Sequence, residues 1–213
     1  MSLTVAIPKG RLGNQTIDMF KSAGIGETID EDSRKLIFED KKNDIVFMLL
    51  KNSDVITYVE NGVADIGISG KDMVMEKNAD IYELYKMNIG RCKMSVAGIK
   101  GKRIFKDDTI LNVATKFPEI AKKYFSVKGQ KIKIIKLNGS IELAPILGLS
   151  DVIVDLVETG NTLKANGLEI FDDMYDINAM IISNKISYKF KREKIKETIE
   201  IIRAEDEKND KNN

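Results

Sequence analysis

The sequence contains no histidine. Without an imidazole, Ser-His-Asp and Cys-His catalysis are excluded, and so are zinc sites that use histidine ligands. Any acid, base or electrostatic catalyst must therefore come from carboxylates, Lys, Arg, Tyr, Cys or backbone amides. Cysteine is almost absent as well. The single Cys92 cannot form an intrachain disulfide, which is typical of a reducing compartment, so we expect a cytoplasmic protein.

Other absences narrow the class of protein. The N-terminal residues lack the charged and apolar regions of a signal peptide, and no run approaches the ~18 consecutive apolar residues of a membrane span. Lys plus Arg number 34 against 33 Asp plus Glu, and this near-neutral balance gives no support to a nucleic-acid binder. We therefore expect neither a membrane protein nor a partner of nucleic acid.

Hydrophobic residues make up 43% of the 213 positions, which is enough to form a buried core. Short apolar runs alternate with helical patterns along its whole length, which predicts an α/β fold with mostly parallel sheets. We expect a polar, basic loop at 101–108 and a frayed charged tail at 205–213. The main predicted strands are Leu3–Ile7, Lys35–Phe38, Ile45–Leu50, Ile66–Ser69, Met94–Ile99, Leu111–Thr115, Lys131–Leu137 and Val152–Asp155. The main predicted helices begin near Asn14, Asp54 (as N-cap), Lys71, Pro118, Gly139, Thr162 and Phe190.

The most informative segment follows the last of these strands. The apolar run Val152–Val154 ends in Asp155, and a turn, Thr159-Gly160-Asn161-Thr162, leads into a helix. Amides and threonine hydroxyls at such a turn can hold a phosphate, and Gly160 allows close approach of the backbone. An acid just before the turn is well placed for ribose hydroxyls, so the pair predicts a site for ribose 5-phosphate. The alternative for the tetrapeptide alone is a surface turn whose threonines cap the helix.

Three further residues, Lys9, Arg11 and Asp72, are candidates because each follows the end of a predicted strand. Arg11 follows a strand end in a glycine-containing turn, where its planar guanidinium suits a phosphate or an adenine face, and Lys9 shares this logic. The alternative for Arg11 is a solvated surface side chain. Asp72 follows the strand ending at Gly70 and could accept a hydrogen bond from an adenine amino group, or it could cap the next helix.

These motifs resemble the ATP phosphoribosyltransferases. A single acid precedes the T-G-x-T loop, whereas the common class of phosphoribosyltransferases has two adjacent acids. The spacing matches the family signature at Glu142, Gly148, Ser150, Ile153, Asp155, Thr159, Gly160, Thr162 and Leu163. Further similar segments are Ala6–Leu12, Ser33–Phe38, Gly62–Asp72, Ala114–Pro118, Lys136–Pro145 and Ile186–Lys189, and together they span nearly the whole chain.

The resemblance implies a two-lobed architecture like the type II periplasmic binding proteins, with a cleft between the lobes. The first lobe would comprise 1–88 and 180–213, and the second 89–179. The implied reaction transfers the phosphoribosyl group from phosphoribosyl pyrophosphate to N1 of ATP, at the first step of histidine biosynthesis. Mg²⁺ would be carried by the substrates, with no metal site of the protein itself.

The resemblance also assigns roles to residues. Glu142, Asp155, Thr159, Gly160, Asn161 and Thr162 would bind phosphoribosyl pyrophosphate. Arg11 and Arg34 would act in catalysis, with Arg34 facing the departing pyrophosphate. The ATP-binding residues would be Lys9, Arg11, Lys51, Asp72 and Cys92. Lys51 stands where many relatives carry Arg, so it keeps the charge but loses the bidentate geometry.

The chain resembles the short form of the family, which lacks the histidine-binding domain of longer members. That form implies a homodimer that joins a regulatory subunit similar to histidyl-tRNA synthetase in a hetero-octamer. Two alternatives stay open at this level: a solute-binding protein of the same architecture, and a phosphoribosyltransferase that acts on another base.

Overall fold

In the computed structural model, which describes residues 2–102 and 109–211, the chain forms two compact units. The first unit contains the chain up to Gly90 and again from Asn178, and the second is the continuous stretch Arg91–Ile177. The resemblance placed the boundaries between the two lobes at 88/89 and 179/180; the boundaries between the two units lie at 90/91 and 177/178. The predicted basic loop at 101–108 lies, from 103 onward, outside the described residues.

The first unit is built on a six-stranded sheet of order β2-β3-β1-β4-β11-β5. β1 pairs in parallel with β3 and with β4, whereas the outer pairings are antiparallel. The strands are β1 (Leu3–Pro8), β2 (Ile37–Asp40), β3 (Ile45–Leu50), β4 (Ile66–Gly70), β5 (Tyr82–Lys86) and β11 (Ala179–Ser183). The helices are α1 (Arg11–Ser22), α2 (Asn52–Glu60), α3 (Lys71–Lys77), α7 (Lys185–Phe190) and α8 (Arg192–Lys211).

Helices cover both faces of this sheet because alternate residues of the central strand are apolar on both sides. Leu3, Val5 and Ile7 point to a core that includes Phe20 of α1 and Phe47 of β3, whose rings meet edge to face at 5.1 Å. On the opposite face, α2 buries Val55, Ile56 and Val59. This packing fixes the carboxyl ends of β1, β3 and β4 at one edge of the unit.

The second unit contains a five-stranded sheet of order β10-β6-β9-β7-β8. β7 pairs in parallel with β8 and β9, while β6 is antiparallel to β9 and β10. The strands are β6 (Cys92–Ile99), β7 (Leu111–Thr115), β8 (Ile132–Lys136), β9 (Val152–Val157) and β10 (Leu168–Ile177). The helices are α4 (Pro118–Val127), α5 (Leu143–Ile146) and α6 (Asn161–Ala165).

Different helices pack on the two faces of this second sheet. One face carries Ala97, Ala114 and Ile153, which pack with Ile141 beside α5 and with Leu163 of α6. The other face is covered by α4, which buries residues such as Tyr124 and Phe125. The short helices α5 and α6 therefore sit on the same side of the central strand β9, and we call this side the site face.

The predicted α/β class is confirmed, but the expectation of mostly parallel sheets is wrong, because both sheets are mixed. Asp54 is not an N-cap: α2 begins after Lys51, and Asp54 lies in its first turn.

The sequence patterns did not predict the strand β5. The expected frayed tail is wrong as far as Lys211, because α8 continues and buries Asp206, whose carboxylate accepts hydrogen bonds from Tyr85 and from the Asn88 amide. Among the described helices, none is long and apolar enough to cross a membrane.

Candidate functional site

The predicted ribose-phosphate loop closes around a small pocket in the second unit. β9 is fully buried from Val152 to Val154 and becomes half-buried from Asp155, so the strand delivers that carboxylate to its carboxyl end. There the chain turns into α6. The pocket has a volume of about 230 Å³ and is lined by Glu142, Asp155, Leu156, Val157, Glu158, Thr159, Gly160, Thr162 and Leu163. Five of the six predicted phosphoribosyl pyrophosphate residues thus meet in one cavity, and the sixth, Asn161, begins α6.

Gly160 is the residue on which the loop conformation depends. It is the N-cap of α6 and adopts φ 72° and ψ 4°, the left-handed region that L side chains rarely adopt. Its carbonyl accepts the amide of Lys164 at 3.1 Å, and the Thr159 hydroxyl accepts the amide of Asn161 at 3.4 Å. The loop therefore turns its backbone sharply, which brings both threonines to the same pocket.

Glu142 reaches this pocket from a separate segment of the chain. It is the N-cap residue of α5, and its neighbours Ile141 and Ala144 are each only 3% exposed in the apolar cluster that contains Ile153 of β9. Burial of these two side chains fixes α5 against the strand that carries Asp155. The carboxylates of Glu142 and Asp155 are therefore neighbours in the fold although 13 positions separate them in the sequence.

Three acidic residues line this pocket. Glu142, Asp155 and Glu158 line it, and none of its described lining residues is Lys or Arg. Carboxylates suit ribose hydroxyls as hydrogen-bond acceptors. Glu158, which directly precedes the T-G-x-T loop, was not singled out from the sequence, although its position next to that motif could have identified it.

In the first unit, three of the five predicted ATP-binding residues, Lys9, Arg11 and Lys51, gather at one edge of the sheet. Pro8 and Leu50 are paired at the ends of the parallel strands β1 and β3, and the Lys9 amide donates to the Leu50 carbonyl at 2.7 Å. Arg11 opens α1, and Lys51 is the N-cap residue of α2. Ligands of open α/β sheets bind outside the carboxyl ends of the strands, which is where these exposed cations lie.

A close approach of backbone explains why α1 begins at this edge. An added Cβ at Gly13 would lie 1.6 Å from the Pro8 carbonyl oxygen, so a glycine is required there. The first turn of α1 can thus pack directly on the end of β1.

The remaining predicted residues occupy three different environments. Arg34 is exposed and precedes β2, whose Ile37 pairs with Met48 near the end of β3, so it belongs to the same edge as Lys51. Asp72 is only 5% exposed, and its carboxylate folds over Gly70 in the first turn of α3. Cys92 belongs to the second unit, where it is half-buried at the start of β6 and does not line the loop pocket.

A second cavity lies on the other side of the same loop. Its volume is about 480 Å³, and it shares Thr159, Gly160 and Leu163 with the first pocket. Two cations, Lys100 and Lys164, line it together with Glu169. Neither lysine was expected from the sequence: Lys164 follows the loop by two positions, whereas Lys100 reaches it only through the fold.

Comparison with known proteins gives consistent matches over this architecture. Residues 51–204 match the family model described as HisG, ATP phosphoribosyltransferase. A Clostridioides difficile protein named ATP phosphoribosyltransferase is 59% identical over 200 residues, which cover 94% of this chain and 96% of that protein. One from Caldicellulosiruptor bescii with the same name is 54% identical over 195 residues, covering 89% and 92%.

Solved structures agree with the sequence matches. A chain from the ATP phosphoribosyl transferase (HisG:HisZ) complex of Thermotoga maritima superposes with a TM-score of 0.85 at 40% identity, covering 96% of this chain and 98% of that one. The periplasmic aliphatic sulphonate binding protein SsuA from Escherichia coli gives a TM-score of 0.61 at 14% identity, covering 96% and 72%. The latter likeness concerns the fold alone, and it confirms the expected similarity to periplasmic binding proteins.

Proposed function

This chain belongs to the ATP phosphoribosyltransferase family, and from that premise we propose how its two units divide the work of the family's reaction. The second unit holds phosphoribosyl pyrophosphate and the first holds ATP. The observation that carries this assignment is the pocket at the end of β9, where Glu142, Asp155, Thr159, Gly160 and Thr162 converge.

Each part of the pocket suits one part of the sugar phosphate. The 5-phosphate would lie on the amides and hydroxyls of the loop from Thr159 to Thr162, including Asn161. The ribose hydroxyls would donate to the carboxylates of Asp155 and Glu142, because a charged acceptor forms the stronger hydrogen bond. The remaining pyrophosphate would extend out of the small cavity toward solvent.

The first unit would contribute cations at the carboxyl edge of its sheet. Lys9, Arg11 and Lys51 are exposed there and suit the triphosphate, and Arg11 also suits an adenine face. Asp72 would accept from the adenine amino group. Cys92 of the second unit would lie near the nucleotide.

In the reaction, the lone pair of adenine N1 forms a bond to the anomeric carbon of ribose. The bond from that carbon to the pyrophosphate oxygen breaks, and its electron pair leaves with pyrophosphate. Positive charge grows on the sugar ring and negative charge grows on the leaving group. Catalysis then consists of aligning two polyanions and stabilising the departing pyrophosphate, which is the role we give to Arg11 and Arg34.

Magnesium would enter with the substrates. Mg²⁺ prefers oxygen ligands and retains several waters, so it is commonly held by substrate phosphates with one or two carboxylates. Since Asp155 and Glu142 are assigned to the ribose hydroxyls, the ion would be held by substrate phosphates and waters. When bound, the ion would neutralise phosphate charge beside the acidic lining.

The catalytic proposal is tested by mixing the purified chain with ATP, phosphoribosyl pyrophosphate and Mg²⁺. We expect equimolar pyrophosphate and N1-phosphoribosyl-ATP, both identified by mass spectrometry. Replacing ATP by free adenine or by another nucleobase is the control for base specificity. Product with another base and none with ATP would contradict the proposal.

We also propose a cytoplasmic homodimer that joins a regulatory subunit. The matched chain from Thermotoga maritima is part of a HisG:HisZ complex, and the similarity covers 98% of that matched chain. A partner similar to histidyl-tRNA synthetase would complete a hetero-octamer, and Lys51 would reach the neighbouring subunit's site in the catalytic dimer. Histidine should then inhibit only when the partner is present. Allosteric inhibition requires an effector site distinct from the active site, and the partner would supply that site.

Light scattering and a histidine titration, each with and without the partner, test this assembly. A dimer that is insensitive to histidine alone, and an inhibited octamer with the partner, are the expected results. A monomer, or strong inhibition of the isolated chain, would contradict the proposed regulation and leave the catalytic assignment standing.

A further inference from the structure

The site face of the second sheet carries a cation close to the loop pocket. The antiparallel pairing of β6 with β9 places Lys93 opposite Val157 and Ser95 opposite Asp155. Side chains of directly opposed residues lie on the same face, with Cβ atoms about 4.5–5.5 Å apart. Because Val157 and Asp155 both line the pocket, Lys93 and Ser95 flank it on its own side of the sheet.

Lys93 is held in place by the next strand. Its ammonium donates to Oδ2 of Asp173 at 2.6 Å, and the buried Ser95 hydroxyl donates to Oδ1 of the same carboxylate at 2.8 Å. These hydrogen bonds, first that of Lys93 and then that of Ser95, keep the pKa of Asp173 below its ordinary value. The Asp173 bond and charge, with a smaller contribution from Asp176, raise the pKa of Lys93, so both partners are ionised near neutral pH.

The ammonium of Lys93 has hydrogen-bond donors beyond the one that contacts Asp173. An ammonium has three donors, and the described bond to Asp173 uses one of them. The Lys93 side chain remains 52% exposed, so its other donors face solvent beside the strand end.

We infer that Lys93, positioned by Asp173 and Ser95, binds a phosphate oxygen of phosphoribosyl pyrophosphate. This inference rests on the proposed function, since it adds a residue to the binding of that substrate. Asp173 acts through Lys93: both of its oxygens are occupied, so it fixes the direction of the lysine side chain. The ammonium offers a phosphate oxygen a charge-assisted hydrogen bond, which is stronger than one between neutral groups.

The fold supplies a matched control on the opposite face of the same sheet. The carboxylate of Asp172 accepts hydrogen bonds from the Lys128 ammonium and from the Tyr124 hydroxyl on α4. Asp172 and Lys128 therefore form an ion pair of the same type as Asp173 and Lys93, and Asp172 is the residue before Asp173. The Lys128 bond, followed by that of Tyr124, keeps the pKa of Asp172 below its ordinary value, just as Lys93 does for Asp173. This pair lies on the α4 face, away from the loop pocket.

The test measures the binding of Mg²⁺–phosphoribosyl pyrophosphate and of Mg²⁺–ATP by calorimetry on the whole chain. For Lys93→Met we expect about a tenfold or greater loss of affinity for phosphoribosyl pyrophosphate, as for removal of a charge-assisted hydrogen bond. Affinity for ATP should stay within about twofold. Lys93→Arg should recover most of the loss, and Lys128→Met should bind both ligands as the wild type does.

A double-mutant cycle separates positioning from a structural role. Asp173→Asn should weaken phosphoribosyl pyrophosphate binding in the wild-type background and have little further effect in Lys93→Met, because the carboxylate acts through that lysine. Additive losses from the two changes would overturn the positioning role of Asp173. Melting curves identify any variant that is unfolded, and Lys93→Arg and Lys93→Gln then replace it in the same comparison.

The outcomes distinguish this inference from the function on which it rests. If the wild type makes N1-phosphoribosyl-ATP and Lys93→Met binds phosphoribosyl pyrophosphate as tightly as Lys128→Met does, the inference is wrong and the function stands. If the wild type neither binds phosphoribosyl pyrophosphate nor makes product, both are wrong.

Discussion

Replacing Gly160 by alanine separates the conformation of the ribose-phosphate loop from its packing. An added Cβ would meet only a methyl group of Val157 at 3.8 Å, which is an ordinary contact, so no clash is expected. The cost comes instead from φ 72°, which is unfavourable for a residue with a Cβ by about 1–2 kcal/mol. Reduced entropy of the unfolded chain offsets about 0.4–1 kcal/mol of this cost.

The net loss of stability should therefore lie between about 0 and 1.6 kcal/mol, and Tm should fall by about 3–6 °C at most. Binding should suffer more than stability. A relaxed turn moves the amides that hold the phosphate, and a methyl group occupies part of a cavity of only about 230 Å³. We expect affinity for phosphoribosyl pyrophosphate to fall at least about tenfold, equivalent to about 1.4 kcal/mol.

Gly129 supplies the control, because it also has a positive φ of 69° with nothing near an added Cβ, but it follows α4 and does not line the loop pocket. Gly129→Ala should lose similar stability in denaturant unfolding and keep full affinity in calorimetry. If Gly160→Ala and Gly129→Ala bind phosphoribosyl pyrophosphate equally well, the loop does not hold the phosphate by its backbone.

Three further predictions concern single residues. Asp155→Asn should weaken phosphoribosyl pyrophosphate far more than ATP in calorimetry, because an amide is a weaker acceptor for ribose hydroxyls; equal losses would argue against the assignment. Arg34→Ala should lower turnover by about 10²–10³ while ground-state binding of phosphoribosyl pyrophosphate stays within a few-fold, whereas a rise in KM alone would make Arg34 a binding residue. Asp206→Asn should reduce the free energy of unfolding by about 1–3 kcal/mol, since this fully buried carboxylate accepts from Tyr85 and from the Asn88 amide. Denaturant curves measure that loss, and an unchanged midpoint would show that the buried contacts contribute little.

Local patterns were sufficient to predict the elements that bury a clear apolar face. The strand Leu111–Thr115 and the helix Pro118–Val127 have the bounds expected from the sequence, because alternation and an N-terminal proline mark them. The candidate ribose-phosphate loop was also predictable, since its acid, glycine and threonines lie within a few residues. Glu142 could be joined to that loop only through the family resemblance.

Features that depend on distant contacts were not predictable in this way. β5 is an edge strand with exposed residues such as Tyr82 and Glu83, so it lacks the apolar pattern of the central strands. The charged end of α8 packs on the unit because the buried carboxylate of Asp206 has hydrogen-bond partners far away in the chain, at Tyr85 and Asn88. Lys93 and Asp173 meet through strand register, and an irregularity in β10 lies between Asp173 and Tyr175, so no spacing in the sequence could reveal their contact.

The central claim is that the pocket at the end of β9 holds the phosphoribosyl donor, and a crystal structure of the chain with Mg²⁺ and phosphoribosyl pyrophosphate tests it most directly. We predict that the 5-phosphate lies within hydrogen-bond distance of the amides from Thr159 to Thr162, with the ribose hydroxyls on Asp155 and Glu142. Phosphoribosyl pyrophosphate bound elsewhere, with this pocket left to solvent, would contradict the account.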